Sequence, residues 1–295
     1  MLQSDSPRNR RLGIALVSLT TLCFAALDAN AKWLVGQLPV FEVVWLRFLT
    51  HALLTSVLLA PTYGMAMFRV RRPGLQVLRA LMLASMTALN FWALQYLQLD
   101  VTGAIQFSVP ILIALLSAKL LGEKLDARRW LAIVAGFCGV LLIVRPGTQG
   151  FHPAIILSLL NALLYAFFNL LTRRLAAIES PAATQLMSAI GASAVLAPLA
   201  WVQWQTPQSW QLWALILFSG LCGGMGHFLL ALAHRYASAA VLGPFIYQQI
   251  IYMTLLGWLV FDHVPDPAVV AGAVVVVASG LYLLYRELRR PQPGR

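Results

Sequence analysis

Apolar runs alternate with short polar turns along the whole chain. The runs fall at 12–35, 40–60, 77–97, 103–121, 130–144, 153–172, 182–202, 211–233, 239–260 and 268–285. Each approaches the roughly 20 residues that a helix needs to cross the hydrocarbon core of a bilayer. The turns between them, such as "QLPVFE", "RPGTQGFHP", "AIESP" and "FDHVPDP", are too short to fold on their own. No water inside a bilayer satisfies free backbone N–H and C=O groups, so every run is predicted to be an α-helix. The first run follows a basic start and imitates a secretion signal. It continues past residue 30, further runs follow, and Leu22 stands where a lipoprotein signal needs a small residue before Cys23. It therefore reads as an uncleaved first span. The expected fold is an all-α integral membrane protein of ten transmembrane helices.

Shifted by about 140 residues, the two halves rhyme. Lys32 falls on Arg174, Pro39 on Pro181, the turn "GEKL" (122–125) on "FDHV" (261–264), and Gly139 on Gly280. Five spans per half is an odd number, so the second copy runs upside down relative to the first. The expected organisation is two inverted five-helix repeats, 1–147 and 148–295. Such inverted repeats are a transporter architecture with its substrate site near the midplane, between the halves.

Composition excludes a water-soluble alternative. The chain has 295 residues, 60% hydrophobic and 11% charged, whereas a soluble domain carries roughly a quarter charged residues. Its net charge of +11 is read as an orientation signal, not as an affinity for nucleic acid. With the N-terminus inside, all but three of the 21 basic residues fall on cytoplasmic turns or ends; the exceptions are Lys32, Arg47 and Arg145. Both termini are thus expected in the cytoplasm of a multi-pass protein of the bacterial inner membrane. Cys23, Cys138 and Cys222 lie in apolar runs without CxxC spacing or a histidine cluster, and read as small buried hydrophobes. No metal site is expected.

The stretch "GAIQFSVPILIALLSAKLLGEKLDARRWLAIVAGFCGVLLIV" (103–144) resembles the fourth and fifth spans of EamA-type drug/metabolite transporters. It shares their mid-helix proline, Pro110, the Gly122–Glu123 pair that closes the helix, and a glycine-bearing helix after it. "DANAKWL" and "VVWLRF" (43–48) resemble bacterial members with an Asp–Lys pair followed by an Arg. The second half departs from the pattern, with "FDH" (261–263) in place of the Gly–Glu pair and Pro244 earlier in its span than Pro110. The resemblance covers nearly the whole chain. It implies two inverted five-helix halves, no cofactor, a central cavity lined by spans three, four, eight and nine, and movement of small metabolites, often export.

Charges inside the spans demand an account, because even one bare charge deep in a bilayer costs at least about 2.5 kcal/mol. Asp28 and Arg47 each lie about 10 Å from the outer edge at 1.5 Å per residue, and Lys32 and Glu42 both lie close to it. Two opposite-charge pairs on adjacent antiparallel spans are therefore expected. Glu42 and Arg47 diverge by about 140° around their helix, so the two pairs cannot close equally well. The Asp28–Arg47 pair either orients the helices or is displaced by a zwitterionic substrate or by a proton on Asp28. Lys32 can also snorkel to the surface.

Uncharged polar groups at membrane depth complete the candidates. Asn161, Tyr165 and Asn169 form one stripe at i+4 spacing, with Ser158 near it. Span nine offers Tyr247, Gln248, Gln249 and Tyr252 beside Pro244. Asn90, Trp92 and Tyr96 lie in span three, Gln106 in span four and His227 in span eight. Each can serve as an interhelical hydrogen-bonding group. Together these amides and rings suit a small amphipathic or aromatic molecule. Gly220 and Gly224 read as a small-residue packing seam, His51 as packing, and Trp201, Trp204, Trp210 and Trp213 as an interfacial belt.

No GxxxxGK[ST] phosphate loop is present, which excludes an ATP-driven pump within this chain. No DxxD pair or HExxH motif supports an intramembrane enzyme, and a mere scaffold leaves the repeat unexplained. The expected function is a gradient-driven secondary transporter of a small organic metabolite, in export. The resemblance extends to sister families that move amino acids, opine metallophores, S-adenosylmethionine or riboflavin, the last two by import. The expected partners are that substrate and the lipid bilayer, with room for a homodimer.

Overall fold

The computed structural model describes residues 6–121, 126–146, 151–176, 178–237 and 239–288. Twelve α-helices follow in order: α1 (Pro7–Leu34), α2 (Val40–Tyr63), α3 (Pro73–Tyr96), α4 (Leu99–Gln106), α5 (Val109–Leu121), α6 (Ala127–Val144), α7 (Ile155–Ala176), α8 (Pro181–Val202), α9 (Trp210–Tyr236), α10 (Ala239–Ile246), α11 (Gln249–Phe261) and α12 (Pro267–Leu288). They make ten crossings long and apolar enough to span a membrane, because α4 with α5 and α10 with α11 each share one. Local chemistry starts the helices. Ser6 and Ser180 accept hydrogen bonds from the N–H groups of Asn9 and Ala183, each with a proline at the next position, and Ser209 caps α9 in the same way.

The fourth and ninth crossings are broken, a feature the apolar pattern does not reveal. Each consists of an eight-residue helix, a two-residue interruption and a thirteen-residue helix. The interruptions, Phe107–Ser108 and Tyr247–Gln248, are repeat mates. Pro110 therefore stands in the first turn of α5, where its missing N–H is not needed, whereas Pro244 stands inside α10. The Gly122–Glu123 turn and the rest of 122–125 lie outside the described residues. So do Arg289, Arg290 and Arg295, and the side chains of Lys119 and Arg173.

Packing follows the repeat. Helices α2 and α8 pack on each other, as do α6 and α12, and each of these is a helix against its own mate. Helix α1 packs on α9, and its mate α7 packs on α3, the mate of α9. Glycines bring the axes together, as expected for membrane helices. A Cβ on Gly139 would stand 2.9 Å from the Gly272 carbonyl oxygen, and one on Gly272 only 2.6 Å from that of Gly139.

Both self-paired couples are tied at both ends. Glu42, fully buried at the start of α2, accepts from the Gln205 N–H beyond α8 at 2.9 Å. Glu179, just before α8, accepts from the Arg71 and Arg72 N–H groups beyond α2 at 2.7–3.1 Å. For α6 and α12 the ties are the ion pairs Asp126–Arg286 and Arg145–Asp266. These positions also rhyme, Asp126 with Asp266 and Arg145 with Arg286.

The two aspartates of these ion pairs lie outside the spans. The Arg129 N–H and the Arg286 guanidinium hold Asp126 below the usual 3.8, and the Ala268 N–H and Arg145 do the same for Asp266. A depressed carboxylate contributes stability above its unfolded-state value and loses it as pH falls through the folded one. Thermal unfolding in detergent is expected to be insensitive to these groups above about pH 5, with their contribution draining below about pH 4. Joint Asp126→Asn and Asp266→Asn substitution should flatten part of that acid limb. An acid limb unchanged in the double variant would contradict this reading.

The outer surface is apolar, with Leu131 70% and Val202 83% exposed, as lipid contact requires. Cys138 belongs to this surface and Cys23 is half-buried, so only Cys222 is the buried hydrophobe expected. Lipid solvates a thiol-bearing side chain as readily as a protein core does. Trp201 and Trp210 are prominently exposed beside the α8–α9 connection, where an aromatic belt belongs. The glycine seam holds on α9, where Gly220 meets Thr50 and His51 on α2 and Gly224 meets His51.

Candidate functional site

A cavity of about 670 Å³ lies between the two repeats. Both broken crossings reach it, through Gln106 and Phe107 on one side and Ile246 and Tyr247 on the other. It runs from Asp28 and Asn90 toward Arg129, His234 and Leu284, at the end of the bundle that carries the start of α1 and the end of α12. On α1 the lining stops at Asp28, one turn short of Lys32.

Nine predicted site residues line this cavity: Asp28, Arg47, Asn90, Gln106, Asn161, Tyr165, Asn169, His227 and Tyr247. Asn90 Nδ2 donates to Asp28 Oδ1 at 3.0 Å, and Asn161 Nδ2 donates to Gln106 Oε1 at 2.9 Å. Tyr165 stacks on Phe168, and its carbonyl accepts from Asn169, so the stripe on α7 presents one polar and aromatic face. His227 lies parallel to His51, with centroids 6.2 Å apart, and edge-on to Phe24. The Tyr247 ring meets Phe107 at 5.2 Å.

Neither expected charge pair forms. Asp28 and Arg47 are within electrostatic reach of each other, yet no ion pair closes between them. Asn90 occupies one oxygen of Asp28. The Arg47 guanidinium instead lies over Phe48, 4.5 Å from the ring centre, and near Phe91 at 5.9 Å. Lys32 passes over Glu42 and donates to the carbonyls of Leu94 and Leu97 at 2.9 and 2.7 Å, with the Phe261 ring 5.6 Å away. The last carbonyls of α3 lack intrahelical donors and carry the negative end of the helix dipole, so they draw the ammonium. Glu42 is meanwhile held by Gln205.

Lys32, Trp92, Tyr96, Gln248 and Tyr252 stand off the cavity wall. On α3, Trp92 and Tyr96 point about 200° and 240° away from Asn90, toward Phe41 and His152 respectively. Gln248 donates to Ser18 Oγ at 2.8 Å and receives the Tyr252 hydroxyl, which ties α11 to α1. The cavity face of α11 is instead Gln249 and Met253. Arg129 is the main lining residue that pattern reading passed over. Its place beside Arg128, at the foot of α6, reads as a surface turn, yet it is buried and lines the cavity. Arg79, read as a cytoplasmic charge, is also buried, bonds Thr172 and Ser188, and lies over Phe168.

A membrane-embedded cavity shared by inverted repeats and flanked by two broken helices defines a carrier. The chain belongs to the EamA-like transporter family, which matches it twice, at residues 11–145 and 152–286. It is similar to the S-adenosylmethionine uptake transporter of Rickettsia prowazekii (strain Madrid E), 29% identical over 289 residues and 96% of each chain. It is also similar to the riboflavin transporter of Rhizobium johnstonii, 27% identical over 96% of this chain and 94% of that protein. The pseudopaline exporter CntI of Pseudomonas aeruginosa (strain UCBPP-PA14) is 28% identical over 92% of this chain and 95% of that one. A solved structure described only as "Crystal structure of protein" shares the fold, with a TM-score of 0.63 at 20% identity, covering 94% of this chain and 99% of that one. The protein is a multi-pass bacterial membrane transporter of small molecules, not an enzyme.

Proposed function

We propose that the cavity between the halves 1–147 and 148–295 is the substrate site of a gradient-driven carrier for a small organic metabolite, working by alternating access. The observation that carries this reading is the cavity itself, with both breaks at its wall and a volume in the range of metabolite pockets. The asymmetry of basic residues supports cytoplasmic termini. In that orientation the end near Arg129 and His234 faces the cytoplasm, and the Lys32 end faces outward. A carrier of this type moves its substrate down the combined gradients, so one site serves uptake, as named for the Rickettsia relative, and export, as named for the Pseudomonas one.

The test uses a Gln106→Cys variant with Cys23, Cys138 and Cys222 replaced by alanine. Reconstituted in liposomes, it is assayed with labelled S-adenosylmethionine, riboflavin and amino acids. A bulky thiol reagent is expected to stop flux of the transported solute, and to react fastest from the face bearing the termini. Undiminished flux after complete modification would remove the cavity from the pathway.

A further inference from the structure

We propose that Arg47 and Asp28 form a head-group site for a zwitterion whose carboxylate and ammonium lie a few bonds apart, as in an α-amino acid; this rests on the cavity being the substrate site. The strongest observation is Arg47. Its side chain is 4% exposed and lines the cavity, and its Nε and Nη1 have no hydrogen-bond partner. A guanidinium is always charged, and buried cations are ordinarily paired with an anion. No carboxylate of the described residues pairs with this one. It is also held in place. Phe48 and Phe91 present ring faces to it, and Gly223 leaves it room, since a Cβ there would stand 3.0 Å from Nη2. A charge that is desolvated, unpaired and fixed is prepared for an anion from outside the chain. A carboxylate matches the planar guanidinium fork.

Asp28 supplies the opposite half. It lines the same cavity, gives one oxygen to Asn90 and has no cation within ion-pair distance. Both groups line the cavity and no ion pair closes between them, so a molecule bearing both signs can bridge them. A plain anion would leave Asp28 bare, and a plain cation would leave Arg47 bare. Only a zwitterion satisfies both buried groups, and unsatisfied buried charges are what a site discriminates most strongly against. Beyond the head, Phe24, Phe107 and Tyr165 line the cavity and suit a flat or apolar body, with Gln106 and Asn161 at hand for its polar edge.

The test holds the body constant and varies the head. Purified protein in detergent is titrated with L-tryptophan, tryptamine and indole-3-propionate, and separately with S-adenosylmethionine and its decarboxylated form, which keeps the sulfonium and the ammonium but lacks the carboxylate. At least one intact zwitterion is expected to bind about tenfold or more tighter than its truncated analogues. Asp28→Asn should bring that zwitterion down to the level of its ammonium-free analogue without changing the analogue itself. Arg47→Lys, which keeps the charge but not the fork, should weaken carboxylate-bearing ligands selectively. Truncated analogues that bind as well as zwitterions, a panel in which no zwitterion binds, or variants that weaken every ligand alike would each overturn the proposal. Failure of the transport reading is distinct, since it shows as flux that survives modification of Gln106→Cys.

Discussion

Replacing Lys32 with methionine is expected to open a path into the cavity from the Lys32 end. Lys32 leaves α1 one turn beyond Asp28 and donates two hydrogen bonds to the terminal carbonyls of α3, while the ring of Phe261 from α11 lies under its ammonium. One side chain thereby gathers helix ends from both repeats. Asn30, two residues earlier, adds a bond to the Leu215 carbonyl at 2.8 Å and so joins α1 to α9 in the same layer. Methionine keeps the length and removes the charge and the donors. Hydrogen bonds to charged groups contribute about 1.5–3 kcal/mol each, so losing two raises the open-to-closed ratio by about two to four orders of magnitude. The measurement is the rate at which a membrane-impermeant thiol reagent, added on the side opposite the start of α1, reaches a cysteine at Leu27. Labelling at the unmodified rate would show that Lys32 does not hold that end shut.

The second large effect is expected at Gly220. A Cβ there would stand 2.6 Å from the Thr50 Cβ and 2.9 Å from the backbone nitrogen of His51, and backbone cannot yield without moving all of α2. Gly224, one turn on, would place its Cβ 3.2 Å from the tip of the His51 ring, which can shift. Gly220→Ala is therefore expected to cost about 1–3 kcal/mol, enough to separate α9 from α2 and to unseat Arg47 and His51 on the facing helix. Gly224→Ala should cost less than about 1 kcal/mol. Thermal midpoints and size-exclusion profiles of the two variants read the contrast. Equal behaviour would mean that the seam is looser than its spacing implies.

The number of crossings and the repeat are legible in the chain because they depend on one-dimensional quantities, the length of an apolar run and its recurrence. What fails is rotation. Asp28 and Arg47 stand at matched depth, but depth says nothing of which neighbour each side chain faces, and Asn90 and two phenylalanine rings took them instead. On unbroken α7, i+4 spacing identified Asn161, Tyr165 and Asn169 as one face, and that face lines the cavity. In span nine the sequence offers Tyr247, Gln248, Gln249 and Tyr252 together with no face chosen, and of these Tyr247 and Gln249 line the cavity, with Ile246 and Met253 beside them. The interruption at Tyr247–Gln248 resets the helical phase, and a reset of one residue turns a face by about 100°. The interruption itself has no local signature. Its prolines lie on opposite sides of it in the two halves, and the backbone breaks there because the repeats meet.

That meeting point has a kinetic consequence. Phe107 and Tyr247 are repeat mates in contact with each other, so the axis relating the two halves passes between their rings. When inverted repeats rock against each other to face the opposite side, the halves exchange conformations. Contacts away from the axis then trade partners, while a contact between mates is carried onto itself. On the proposed cycle the aromatic pair is expected in both end states, and substitutions there are expected to change both by similar amounts. Such changes act on the barrier between the states and leave their ratio alone. Lys32 holds Leu94 and Leu97 rather than its own repeat mate, so on the proposed cycle its bonds are expected in one state only and changes there should act on the ratio. On the proposed alternating-access cycle, turnover is expected to be set at the first place and resting orientation at the second.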